Sequence, residues 1–125
     1  MSRLSPAPVF HSLPCSIVSV GCALGFSRDK TIEKAEEIGL KDDGYLTLEN
    51  MNKFIRSLLS VQKKEYYKRG TRPLLEEFLR GNKKRAVVCL LGHYVYVDKE
   101  NYYSFFQNER DEVVCVWWLK NESNN

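Results

Sequence analysis

Histidine is the scarcest reactive residue in this chain, with two in 125 residues, His11 and His93. No C-x-x-C pair occurs, and the two histidines lie far apart, so the sequence offers no zinc spacing. No stretch approaches the ~18 consecutive apolar residues of a membrane span. Charge of one sign is not in large excess either. The net charge is +3 with a pI near 8.7, too little by itself to argue for a nucleic-acid partner. Proline is nearly absent after the first 14 residues, where three of the four prolines stand, Pro6, Pro8 and Pro14. Residues 1–14 therefore read as an extended lead-in. With Arg3 as its only early cation and His11 and the prolines interrupting any apolar run, it does not read as an export signal. Cys15, Cys22, Cys89 and Cys115 are then expected as free thiols of a cytoplasmic protein.

What is present fits one domain. Of the residues, 43% are hydrophobic and 28% charged, an ordinary globular balance with enough length for one core. The run Cys15–Gly25 is apolar on nearly all sides and carries no charge. Periodicity alone cannot separate a strand from a buried helix there, and Gly25 as a stop signal favours helix. Ser27–Leu40 has an amphipathic period, with Ile32, Ala35 and Ile38 inward. Thr47 caps a third helix to Leu59, with Leu48, Met51, Ile55 and Leu58 on one stripe. Gln62–Arg69 alternates weakly, as an edge strand blunted by lysines would. Thr71–Gly81 reads as a short helix with Thr71 as cap. From Arg85 on the character changes. Arg85–Leu91, His93–Val97, Tyr102–Phe106 and Val113–Leu119 are β-rich runs between turn-like segments. The expectation is an α+β fold with N-terminal helices, in about 15–81, packed on a C-terminal antiparallel meander, about 85–119. Residues 15–125 form the single domain.

Three signals carry less than they promise. Asp42-Asp43-Gly44 resembles half a calcium loop, but Gly39, Lys41 and Asn50 would fill ligand positions that need carboxylates. Lys83-Lys84-Arg85 before a strand reads as a solvated turn. The tyrosines at 66, 67, 94, 96, 102 and 103 alternate within the β-rich runs, which suits sheet packing better than base stacking.

The residues able to carry chemistry are Cys15 and His93. A thiol becomes a nucleophile as thiolate, and a helix N-terminus favours that form with partial positive charge and free N–H groups. Cys15 directly after Pro14 stands where a helix-start thiol would. An imidazole beside it can hold the thiolate as an ion pair and protonate a leaving group. His93 opens Gly92-His93-Tyr94-Val95-Tyr96-Val97, with His93, Val95 and Val97 on one strand face.

In this arrangement the chain resembles compact papain-like cysteine peptidases of the C39-like type found in phage and bacterial genomes. The resemblance covers about residues 10–119. It rests on Pro14-Cys15-Ser-Ile-Val-Ser-Val-Gly-Cys-Ala-Leu, on Gly92-His93-Tyr-Val-Tyr-Val and on Tyr102-Tyr103-Ser104-Phe105. It implies a papain-like fold and a cysteine peptidase or related amide or thioester hydrolase. It also implies a peptide or protein substrate, no cofactor, no metal, no nucleic acid and no membrane, in the cytoplasm of a host cell if the origin is phage. Cys15 would be the nucleophile and His93 the general acid/base, within about 4.5 Å of each other. Where the family carries Asp after Tyr-Tyr, this chain has Ser104. A two-residue turn at Lys99-Glu100 pairs Asp98 with Asn101 and sets Ser104 diagonal to His93 at ~7–8 Å between backbones, making Ser104 the third member. A turn one residue longer brings Gln107 opposite His93 instead, and Asn101 and Asp98 are further candidates. No Gln stands upstream of Cys15 to donate to an oxyanion; Ser12 and His11 are the nearby substitutes. The missing Asp and Gln equally suit a catalytically degenerate member of the fold that binds or inhibits another protein.

Overall fold

The computed structural model describes residues 15–37, 48–104 and 107–120. Three helices come first: α1 (Cys15–Leu24), α2 (Arg28–Glu37) and α3 (Leu48–Leu58). The helix reading of the Cys15 run holds, and Gly25 ends it at φ +70°. The Phe26 N–H reaches back to the Gly21 carbonyl at 3.0 Å, and the Gly25 N–H to that of Cys22 at 3.2 Å. This closure needs a left-handed residue, which glycine takes without a Cβ clash. Ser27 starts α2 by accepting the Lys30 N–H at 3.2 Å on its hydroxyl. On α3, Met51, Phe54 and Ile55 are fully buried, and Leu48 and Leu58 flank them. Ile38 and Thr47 lie outside the described residues.

The sheet has five strands: β1 (Val61–Tyr66), β2 (Arg85–Leu90), β3 (His93–Asp98), β4 (Asn101–Tyr103) and β5 (Val113–Leu119). All pairings are antiparallel, in the order β1-β5-β2-β3-β4. The expected meander is therefore only partly formed. β2, β3 and β4 follow one another, but the last strand inserts between β1 and β2. Val113–Leu119 is apolar on both faces, with Val113, Cys115, Val116 and Trp117 fully buried. Such a strand is best placed where both edges and both faces are covered. β1, with Gln62, Lys63 and Lys64 exposed, takes the edge as expected.

The expected helix at Thr71–Gly81 is shorter than its signals imply. α4 spans Leu75–Leu79 alone. Thr71 does not cap it, because its hydroxyl bonds the Lys68 carbonyl at 2.7 Å in a turn. The chain at 73–74 is held by β5 instead: the Pro73 carbonyl accepts the Val113 N–H at 2.8 Å, and Leu74 bridges Glu112. The Glu77 carboxylate then accepts the Leu74 N–H at 2.8 Å, covering an orphan donor at the helix start.

The sheet is buried on both sides. On one face Val87, Cys89, Tyr94, Tyr96, Cys115 and Trp117 meet α1, α2 and α3. On the other, Ala86, Val88, Leu90, Val95, Val97 and Tyr102 meet Leu75 and Leu79 of α4. The alternation of β2 and β3 assigns each of their buried residues to one core or the other. Mixed helix and antiparallel sheet make this an α+β fold, and no helix among the described residues is long and apolar enough to cross a membrane.

Candidate active site at the start of strand β3

β2 and β3 are joined by a two-residue turn, Leu91–Gly92, with Gly92 at φ +77° and Leu90 paired to His93. This turn sets the half-buried imidazole at the very end of the sheet. The next hairpin turn is Lys99–Glu100, with Lys99 at φ +60°. It pairs Asp98 with Asn101, Val97 with Tyr102 and Tyr96 with Tyr103, which is the two-residue register expected. Ser104, one residue beyond β4, therefore lies diagonal to His93 on the same face. His93 Nε2 and Ser104 Oγ are 3.2 Å apart.

The contact does not stop at Ser104. Its hydroxyl donates to Asn108 Oδ1 at 2.6 Å, and Asn108 Nδ2 donates to Asp111 Oδ2 at 2.7 Å. These bonds decide where the protons sit. The Asp111 carboxylate can only accept, so the amide of Asn108 must turn its nitrogen there and its oxygen toward Ser104. The Ser104 hydrogen is then committed to Asn108, and Ser104 Oγ can only accept from His93. In the neutral ring the proton is thereby assigned to Nε2, which leaves Nδ1 as the basic nitrogen. Every bond in the chain His93–Ser104–Asn108–Asp111 points the same way, an orientation in which each polarises the next. Ser104 and Asn108 are 4% and 5% exposed, so water competes little for these bonds.

The loop carrying Asn108 and Asp111 is itself fastened. Buried Tyr102 donates its hydroxyl hydrogen to the Glu109 carboxylate at 2.7 Å and accepts the Asn108 N–H at 3.1 Å. At the start of α4 the Leu75 and Glu76 N–H groups donate to the Asp111 and Glu109 carbonyls. The relay is thus tied by hydrogen bonds to β4 and to the start of α4. Burial pushes the His93 pKa below its ordinary value, and the Asp111 charge pulls it partly back up. Burial thus favours the neutral form of the imidazole.

The other sequence candidates lie elsewhere. Asp98 and Asn101 pair with each other at the far end of the β3–β4 hairpin, five residues from His93, or about 16 Å along a strand. Gln107 is exposed and out of register, because the longer turn that would bring it opposite His93 is not formed. Ser12 and His11 lie outside the described residues. Asn108 and Asp111 were not singled out from the sequence. Their signal is slight: an Asn-x-x-Asp spacing in a turn, Asn108-Glu-Arg-Asp111, four residues beyond Ser104.

Cys15 opens α1, and its side chain lies outside what is described, so the Cys15–His93 separation is not part of this geometry. The backbone still limits the arrangement. α1 packs chiefly along β3. Its C-terminal end is anchored where the Arg85 guanidinium donates to the Ala23 carbonyl at 3.3 Å and to the Tyr96 hydroxyl at 2.9 Å. Arg85 pairs with Asp98, at the end of the sheet opposite His93. The N-terminus of α1 therefore points toward the His93 end. Strand alternation, however, turns the imidazole to the α4 face, while α1 covers the face of Tyr94 and Tyr96. Cys22, Cys89 and Cys115 are free thiols, partly or fully buried, and burial pushes the Cys22 pKa up to about 12. None of these three can serve as a ready nucleophile.

Among the described residues no three His, Cys, Asp or Glu side chains converge as a metal would require. Compared with known proteins, the chain matches no family model, no curated protein and no solved structure.

Proposed function

We propose that this protein is a cysteine-dependent hydrolase of amide or thioester bonds, papain-like in arrangement, acting on a peptide or protein in the cytoplasm. The observation that carries the reading is the oriented chain from His93 through Ser104 and Asn108 to Asp111. It supplies what a general base needs: a fixed ring, a proton held on Nε2 and a basic Nδ1. It also brings a carboxylate into the site at second hand, where the sequence has Ser104 in place of an acid.

In this reading Nδ1 takes the proton of the Cys15 thiol. The thiolate attacks the carbonyl carbon, and the oxyanion is stabilised by N–H groups at the start of α1. Collapse of the tetrahedral intermediate expels the leaving group, which takes the proton from Nδ1. Water, deprotonated by Nδ1, then attacks the acyl carbon; the carbon–sulfur bond breaks, the departing thiolate takes the proton back from Nδ1, and the acid and the free thiol are released. Ser104, Asn108 and Asp111 are positioning residues that hold the ring and spread the charge of the imidazolium. No cofactor enters.

A specific observation favours a second reading, a catalytically degenerate fold that binds or inhibits another protein. His93 turns to the face of the sheet that α1 does not cover, and its Nε2 meets an uncharged hydroxyl.

Alkylation of Cys15 by iodoacetamide, followed by peptide mapping across a pH series, separates the two. With a coupled pair, His93→Ala lowers the rate near pH 7 by about tenfold, the change in thiolate fraction when a thiol pKa rises from ~7 to ~8.5. Ser104→Asp raises it. Coincident profiles for wild type and both variants refute the hydrolase reading.

A further inference from the structure

At the end of the sheet opposite His93, a recess of about 330 Å³ opens between the starts and ends of four strands. Five cations line it, Lys83, Lys84, Arg85, Lys99 and Lys120, against one carboxylate, Asp98. Its net charge of +4 exceeds the +3 of the whole chain, so the remaining residues sum to −1. The modest overall charge hides a strongly one-sided distribution. A charged concavity with an apolar wall, here Leu119, concentrates field at its mouth.

The site is held by the fold. Asn82 donates one amide group to two carbonyls, Lys84 at 2.9 Å and Lys99 at 2.7 Å. The Lys99 N–H closes back on the Lys84 carbonyl at 3.2 Å. The turn before β2 and the β3–β4 turn are thereby clamped together, and Lys83, Lys84 and Lys99 are brought side by side from distant parts of the chain. Arg85 is already engaged by Tyr96 and Ala23. Among the described residues Lys83, Lys84, Lys99 and Lys120 enter no ion pair, whereas Lys30–Glu33 and Lys34–Glu37 pair on α2.

Two adjoining hollows continue the surface. One runs past Gln62, Lys63 and Trp118 on edge strand β1 and its neighbour, and the other past Glu100 and Asn101. Their composition discriminates between anionic partners. Stacking a base needs a free aromatic face. Trp118 has Phe78 stacked on its ring at 5.3 Å and the Lys84 ammonium near it at 5.9 Å, and its Nε1–H is bound to Glu65 at 2.8 Å. An unbroken row of phosphates would also meet Asp98, Glu65 and Glu100 on the walls. Discrete carboxylates on an extended chain can reach the separated ammonium groups and leave those three carboxylates to solvent. We propose that this end of the sheet is a docking surface for an extended acidic peptide segment of a partner protein. Its location, remote from His93, makes it independent of whether Cys15 and His93 react.

The test is fluorescence anisotropy at low salt with three labelled probes of equal charge: a peptide of alternating Glu and Ser, a single-stranded DNA and a DNA duplex. The wild-type protein binds the peptide best, and the affinity falls steeply with added salt. Lys84→Glu/Lys99→Glu/Lys120→Glu weakens peptide binding by at least about tenfold, as reversal of contacting charges does. Lys30→Glu/Lys34→Glu, which changes charge on α2, leaves it within about twofold. Far-ultraviolet circular dichroism verifies folding, and the milder Lys84→Gln/Lys99→Gln provides the same comparison with less repulsion. The proposal is overturned if the peptide does not bind, if neither set of recess variants weakens it, or if either DNA binds more tightly than the peptide.

Discussion

Removing the hydroxyl of Ser104 measures whether the relay behind His93 is as tightly coupled as its geometry implies. Ser104→Ala leaves Asn108 Oδ1 without its donor at a site 5% exposed, and leaves His93 Nε2–H without its acceptor at a half-buried one. A buried polar group deprived of its partner costs about 1–3 kcal/mol. The imidazole recovers part of this from water, so the expected destabilisation is about 2–4 kcal/mol. With a urea m-value of ~1.5–2 kcal/mol/M, typical at this size, the unfolding midpoint falls by about 1–2 M. Asn108→Ala breaks the same bond from the other side, so the two changes do not add. In a double-mutant cycle the coupling is about 1 kcal/mol or more. A cost for Ser104→Ala below about 0.5 kcal/mol, the level of an ordinary surface substitution, would refute the account. So would strict additivity of the two variants, because either result means the hydroxyl is not shared as described.

Two further outcomes follow from burial. His93 titrates below 6.5 by NMR, and Asp111→Asn lowers its pKa further by removing the charge that raises it. Because the folded-state pKa lies below the unfolded one, the unfolded chain binds the proton more readily. The resulting contribution to stability is complete above about pH 6.5 and is lost as the pH falls toward the folded pKa; a rise in stability with acidification through that window, or its persistence in a His93→Gln variant, contradicts the assignment. For the thiols, Cys22, Cys89 and Cys115 react with a disulfide reagent in denaturant but at least about a hundredfold more slowly in the native state. Cys89 and Cys115 are direct cross-strand neighbours, so intact mass under non-reducing conditions gives a separate reading: a loss of two hydrogens would show that they do not remain thiols.

Much of the local structure was legible because it depends on short-range rules. Gly25 had to end α1, since the left-handed closure there suits a residue without a Cβ. The stripe Leu48, Met51, Ile55 and Leu58 had to form one face of α3. The Lys99–Glu100 turn set the β3–β4 register, and with it the proximity of Ser104 to His93. These features involve residues a few positions apart, where spacing in sequence and spacing in space are nearly the same quantity.

Tertiary structure decided the rest. Nothing in Val113–Leu119 says that it leaves the meander to pair with both β1 and β2; only the need to cover a two-faced apolar strand does. The cap signal at Thr71 favours a longer helix, but hydrogen bonds to β5, distant in sequence, hold the backbone at Pro73 and Leu74 instead. Asp111 was invisible as a partner of His93, because a carboxylate reaching an imidazole through a serine and an asparagine leaves no spacing to read. Lys83 and Lys84 read as part of a solvated turn, and their convergence with Lys99 and Lys120 depends on Asn82 clamping two turns together and on the interior position of β5. Sequence determines what each segment can become, because propensity and period act within a few residues; which segments meet depends on how the two cores close on either side of the sheet, and that is a property of the whole chain.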